Sequence, residues 1–225
     1  MDARFPDRRA AGQALAPRLS HLRGPGTLVL GLPRGGVPVA AEVATALNAP
    51  LDILLVRKIG MPENPELALG AIAGPAGETL ILNEALVLRS GLGPAGIEAR
   101  AAPERAELAR RRALWGGGVE MGAVRGKTVI LVDDGVATGA TMRAAIAAVR
   151  SGEPARVVVA TPVAPPDVVV ALTGLADEVV CLFSPADFIA VGRHYALFPQ
   201  LQDDEVRRIL GAARRPASSG RSQAG

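Results

Sequence analysis

Hydrophobic residues in this chain fall into short unbroken runs, each closed by a charge, a glycine or a proline, and between the runs they recur at helical spacing. Continuous apolar runs of this length suit strands buried on both faces of a sheet, whereas half-exposed strands would alternate. Strands are expected at 27–32 and 51–56 and in the runs that start near Lys127, Ala155 and Asp177. Helical periodicity covers 8–22, 37–47, 141–151 and 165–172. A strand and helix rhythm of this kind predicts an α/β fold, a parallel Rossmann-like sheet with flanking helices. Residues 79–82 read as one more short strand. Residues 97–115, rich in Arg and Glu at helical spacing, read as an exposed helix kinked or restarted at Pro103. Residues 61–70 hold two prolines and no clean period, which suits a loop or lid. The pattern predicts a single domain over 1–213, with its core at about 24–182, a small hood at about 183–200 and a disordered tail at 214–225.

The densest chemistry lies between Val129 and Thr141. Val129, Ile130, Leu131 and Val132 form the end of a buried strand, and Asp133 and Asp134 follow at its carboxyl end, where open α/β sheets bind ligands. Ionised carboxylates only accept hydrogen bonds, so an adjacent pair there suits two neighbouring hydroxyls, as on a ribose. Ala137, Thr138, Gly139, Ala140 and Thr141 then lead into a helix expected near Thr141. The glycine admits close backbone approach, the hydroxyls donate, and the first N–H groups of the helix face an anion. A diol grip beside an anion site describes a cradle for ribose 5-phosphate. A buried strand followed by a capping threonine accounts for the apolar run and Thr141, but not for two like charges side by side.

Two other strand ends carry related chemistry. The 27–32 run leads into Pro33, Arg34, Gly35 and Gly36 before an apolar helix, so two glycines allow close backbone approach beside a planar fork of donors. Arg57 and Lys58 close the 51–56 run, and Lys58 shares the chain with a single other lysine, Lys127.

The 129–141 window resembles the phosphoribosyl-diphosphate (PRPP) signature of the type I phosphoribosyltransferases at every position: hydrophobic run, Asp-Asp, three variable residues, Thr-Gly-x-Thr. The Arg-Gly-Gly turn resembles that family's diphosphate loop, where a strained peptide is common, and Arg57-Lys58-Ile59-Gly60 resembles the start of the mobile loop in adenine phosphoribosyltransferases. The whole chain resembles bacterial stand-alone members whose acceptor is unassigned. The resemblance implies an enzyme of nucleotide metabolism that transfers a phosphoribosyl group from PRPP to a nitrogenous acceptor, with Mg²⁺ bound mainly through PRPP. Asp133 and Asp134 would hold the ribose hydroxyls, Ala137 to Thr141 the 5-phosphate, and Arg34, Gly35, Gly36, Arg57 and Lys58 the diphosphate. A homodimer is the expected assembly. Ala137 stands where 6-oxopurine enzymes carry Asp, and Ala68 and Leu69 precede Gly70 where adenine enzymes carry Glu and an aromatic residue. The acceptor is therefore open, and Glu66 and His194 are the only candidates for a general base.

Four of the six aromatic residues, Phe183, Phe188, Tyr195 and Phe198, crowd together near the carboxyl end. Phe188, His194 and Tyr195 are candidates for a pocket that stacks a planar base, against the alternative of a small satellite core. A single cysteine, Cys181, excludes an internal disulfide. The charged amino-terminal residues and the absence of a long apolar segment point to a cytoplasmic location. A net charge of +3 is too small to argue nucleic-acid binding. The 26 residues before Thr27 leave no room for a helix-turn-helix, so DNA is not an expected partner. An RNA-binding regulator that senses PRPP without turnover is the rival, with Arg207, Arg208, Arg214 and Arg215 as part of a basic face. Gly91-Leu-Gly-Pro-Ala-Gly96 matches a dinucleotide fingerprint but lacks the flanking strands. A helix end followed by a helix begun at Pro94 explains it better. Gly122 to Thr128 precedes a strand where a P-loop would follow one.

Overall fold

A computed structural model describes residues 4–61, 68–74, 77 and 79–213. Eight strands run in chain order: β1 (Thr27–Gly31), β2 (Leu51–Ile53), β3 (Val56–Gly60), β4 (Ala68–Ala73), β5 (Thr79–Leu82), β6 (Thr128–Val132), β7 (Arg156–Val163) and β8 (Glu178–Phe183). Helices α1 (Arg8–Leu15), α2 (Gly36–Leu47), α3 (Glu84–Ser90), α4 (Pro94–Trp115), α5 (Ala140–Ser151), α6 (Pro166–Thr173) and α7 (Asp203–Ala213) surround them. Five strands form a parallel sheet in the order β2-β1-β6-β7-β8, and β3-β4-β5 form a separate antiparallel sheet. The α/β architecture is the one the apolar runs predict.

The unbroken runs are explained by a core on each face of the large sheet. Val29, Ile130 and Val132 point to the side covered by α2 and α7, with Val37, Val43, Val206 and Leu210. Leu28, Leu30, Val129 and Leu131 point to the other side, against Met142 and Ile146 of α5 and Leu172 of α6. Each such side chain, fully withdrawn from water, stabilises the fold by about 1.5–3 kcal/mol, so neither face of a strand can turn polar cheaply.

Several elements differ from their sequence reading. The 51–56 run is not one strand. β2 ends at Ile53, Leu54 and Leu55 turn the corner into opposite cores, and β3 begins the second sheet at Val56. Of the expected 61–70 lid, residues 68–70 belong to β4, paired with Ile59 and Gly60, and 62–67 lie outside the described residues. The 8–22 helix is α-helical only to Leu15 and continues as a 3₁₀ helix across Ala16–Leu22, where Pro17 lacks the N–H that an α-turn requires. Helix α4 runs unbroken through Pro103 and is not wholly exposed, since Ile97, Ala101, Leu108 and Trp115 are buried. Helix α7 has no counterpart in the sequence reading, and of α3 only its end was expected. Gly91 caps α3 in the left-handed conformation and Pro94 opens α4, as the glycine spacing predicted. No helix among the described residues is long and apolar enough to cross a membrane, and the 214–225 tail lies outside them.

Candidate active site

Strand order fixes where a ligand can enter. From β1 the chain moves outward to β2, while from β6 it moves the other way to β7 and β8, so the direction reverses between β1 and β6. Helix α2 leaves β1 toward one face and α5 leaves β6 toward the other. Their loops part at the carboxyl ends of the two central strands, which is the crevice where open α/β sheets take ligands.

Those loops carry the Arg34-Gly35-Gly36 turn and the Asp133–Thr141 segment, and they touch. The Leu32 N–H donates to the Val132 carbonyl at 2.9 Å. A Cβ on Gly35 would overlap the Asp134 carboxylate, and one on Gly36 would lie 2.8 Å from Asp133 Cα. Only glycine lets the two loops approach this closely. The Pro33–Arg34 peptide is cis.

Asp133 and Asp134 have different surroundings. Asp133 Oδ1 accepts the Asp134 N–H at 2.9 Å. Desolvation first, and the neighbouring Asp134 charge second, hold the Asp133 carboxyl well above the ordinary carboxylate range. Asp134 is buried, and its Oδ2 accepts the Arg8 Nε–H at 2.7 Å. Desolvation raises Asp134 as well, opposed by Arg8. The two carboxyls are therefore unequal: Asp134 has the Arg8 guanidinium as counter-ion, and Asp133 has none in direct contact and the higher proton affinity. Arg8 also donates to the Pro199 carbonyl at 2.8 Å and stacks on Phe198 at 3.8 Å from the ring centroid. Sequence reasoning missed Arg8, because one arginine among many in an amino-terminal helix carries no local signal.

Gly139 opens α5 with φ of +74°, the conformation its glycine identity predicts. The turn from Ala137 to Thr141 precedes and enters the first turn of the helix, whose leading N–H groups lack intrahelical acceptors. Arg143, also unanticipated, reaches back to donate to the Thr138 carbonyl at 2.6 Å, which adds a cation beside the turn.

The expected diphosphate cations are placed unequally. Arg34 donates to the Leu201 carbonyl at 2.8 Å and pairs with Asp203 at 3.4 Å, while the Trp115 indole donates to the same Asp203 at 2.9 Å. Arg57 and Lys58 do not close a parallel strand. They lie inside β3, where successive side chains face opposite sides. Arg57 turns to α4 and pairs with Glu104 at 2.6 Å. Lys58 lies on the face of Val56, which packs against the α5 core.

The carboxyl-terminal aromatics form two groups. Tyr195 is buried between Phe5 and Phe198, with centroids at 5.5 and 4.9 Å, and its hydroxyl donates to the Asp134 carbonyl at 2.5 Å. Its ring faces are taken, so its assignment to a base pocket is corrected: Tyr195 is satellite core that braces the acidic pair. His194 is stacked on Phe188 and edge-on to Phe183, and its Nε2 is buried with no hydrogen-bond partner among the described residues. Glu66 lies outside the described residues. Burial raises the Cys181 thiol, which suits a packed and unreactive side chain.

The family model described as the phosphoribosyl transferase domain matches residues 9–191. The chain belongs to this phosphoribosyltransferase family. Two curated proteins from Mycobacterium tuberculosis strains, each named "Putative phosphoribosyl transferase", are 48% identical over 211 residues. These matches cover 94% of this chain and 47% of each relative, so the chain spans about half the length of the curated relatives it matches. The crystal structure of TT1426 from Thermus thermophilus shares 46% identity and superposes with a TM-score of 0.82, covering 92% of this chain and 97% of that one. The family expected from the 129–141 window and the two other strand ends is thus shown over residues 9–191.

Proposed function

We propose that this phosphoribosyltransferase-family chain transfers the phosphoribosyl group of PRPP to a nitrogenous acceptor, with release of diphosphate. The observation that carries this reading is the contact between the Gly35 backbone and the Asp134 carboxylate. It joins an Arg-Gly-Gly turn, an acidic pair and a helix amino terminus into one crevice. In that crevice Asp133 and Asp134 hold the ribose hydroxyls, with their carboxyl oxygens as acceptors. Ala137, Thr138, Gly139, Ala140 and Thr141 hold the 5-phosphate. Arg34, Gly35, Gly36 and Lys58 hold the diphosphate, while Arg57 is engaged with Glu104 on the other face of β3.

The acceptor nitrogen attacks C1 of the ribose as the C1–O bond breaks, and the electron pair of that bond leaves with diphosphate. The proton released from the acceptor passes to a base, for which His194, with its Nε2 unsatisfied beside Phe188, is a candidate. Catalysis consists mostly of positioning and of neutralising the leaving charge. A Mg²⁺ carried by the oxygens of PRPP would supply charge neutralisation at the diphosphate, beside the Asp133 and Asp134 carboxyls.

The test is incubation with PRPP and Mg²⁺ against a panel of nucleobases and amines while diphosphate release is followed. Acceptor-dependent release is the expected result. PRPP binding without release for any acceptor would favour the rival regulator that senses PRPP and binds RNA.

A further inference from the structure

Arg8 lies just before the segment matched by the family model and Phe198 and Pro199 lie beyond it, yet they meet each other beside Asp134 of the acidic pair. We propose that Arg8 is a positioning residue for the ribose: it fixes the Asp134 carboxylate toward the sugar hydroxyls, and Phe198 and Pro199 fix Arg8. The proposal rests on the reading of the acidic pair as a ribose grip.

Surface ion pairs of this kind contribute little, because solvent competes for both partners. The Arg8–Asp134 pair is different, with side-chain exposures of 10% and 12%. A buried pair constrains geometry, and losing one partner strands the other charge. Two guanidinium nitrogens and the plane are engaged: Nε with Asp134, Nη1 with the Pro199 carbonyl, and the plane with the Phe198 ring. Asp134 is held from its backbone too, where Tyr195 donates to its carbonyl and the same Tyr195 packs on Phe198. Ring, guanidinium and carboxylate thus form one stack leading into the crevice. Take Arg8 away, and a desolvated Asp134 next to Asp133 has no counter-ion, so it draws a proton and ceases to be a fixed anionic acceptor. A charged acceptor aimed at a hydroxyl is worth more than a neutral one, so discrimination at the sugar should depend on Arg8. The Arg8 guanidinium is directed to Asp134 and Pro199 and away from the phosphate turn at Ala137 to Thr141, so phosphate binding should not depend on it.

The experiment is calorimetric titration of the full chain and its Arg8→Gln variant with ribose 5-phosphate, 2-deoxyribose 5-phosphate and inorganic phosphate. The parent should prefer ribose 5-phosphate over the deoxy sugar by about tenfold, the size of one charge-assisted hydrogen bond. In Arg8→Gln this preference should fall to roughly twofold or less while phosphate affinity stays the same. A preference that survives in the variant overturns the proposal. A parent that does not bind ribose 5-phosphate, or does not discriminate, removes the underlying ribose reading instead. If Arg8→Gln does not fold, Arg8→Lys takes its place, since it keeps a positive charge beside Asp134 and withdraws the directed Nε donor. A reduced preference in that variant supports Arg8 as the positioning residue, and an unchanged one overturns it.

Discussion

At the scale of single residues, the site depends on two positions where no side chain fits and on two carboxyl groups that share one counter-ion. Gly35→Ala would drive a methyl group into the Asp134 carboxylate, whereas a Cβ on Gly26 meets nothing within 4 Å. Gly35→Ala should therefore abolish PRPP binding in calorimetry, and Gly26→Ala should leave it unchanged. The acidic pair also makes a stability prediction. Asp133 has its folded-state pKa raised, so its contribution is fully favourable below the unfolded value of about 3.8 and is lost as pH rises through the folded value. Asp133→Asn removes that loss and keeps an acceptor for the Asp134 N–H. At neutral pH the variant should be more stable than the parent by about 1–3 kcal/mol, with the difference shrinking toward pH 4. Thermal melts of both proteins across that range are the check, and equal curves would refute the upward shift of Asp133. The residue types at these positions were legible in the sequence as a diol and phosphate cradle. Their unequal charge was not, because Arg8 stands 126 residues from Asp134 in the chain.

At the scale of elements, the main discrepancy is β3. The apolar run at 51–56 predicts a single strand with Arg57 and Lys58 at its tip, and by periodicity alone it is hard to read otherwise. The corner at Leu54 and Leu55 is decided by two separate cores, each taking one of those leucines. Moving Arg57 and Lys58 into an antiparallel strand separates their roles, since alternation sends them to opposite faces. Lys58→Ala should cost about 2.7–4 kcal/mol of activation free energy, the size of one deleted preorganised donor. Arg57→Ala, which loses the Glu104 pair on the other face, should change turnover by less than about 1 kcal/mol. Single-turnover rates with PRPP measure both, and equal losses would return both cations to the diphosphate. By contrast, α5 and its Gly139 start were legible beforehand, because a positive-φ glycine before a periodic apolar stretch is a local signal.

At the scale of the whole molecule, α7 closes the structure by packing onto α4, with Trp115 fully enclosed and hydrogen-bonded to Asp203, the same carboxylate that pairs with Arg34. Trp115→Ala opens that junction and should destabilise the fold by about 3–5 kcal/mol, lowering the melting temperature by roughly 6–20 °C. Calorimetry decides this, and a shift of a degree or two would mean that α7 docks without the indole. Helix α7 does carry local signals that the sequence reading passed over, with Asp203, Asp204 and Glu205 in its first turn and Val206 and Leu210 four residues apart, but which surface it covers is decided by α4 and α2. What the sequence determined by itself is everything carried by short-range signals. These are the buried parallel strands, the acidic pair at the end of β6, the two glycine turns and the family they point to. The tertiary structure alone decided which charges are neutralised and which side chains face the crevice. Arg8, Arg34, Arg57 and Tyr195 each take their role from a partner distant in sequence, and hydrophobic periodicity records whether a residue is buried, not which partner it meets.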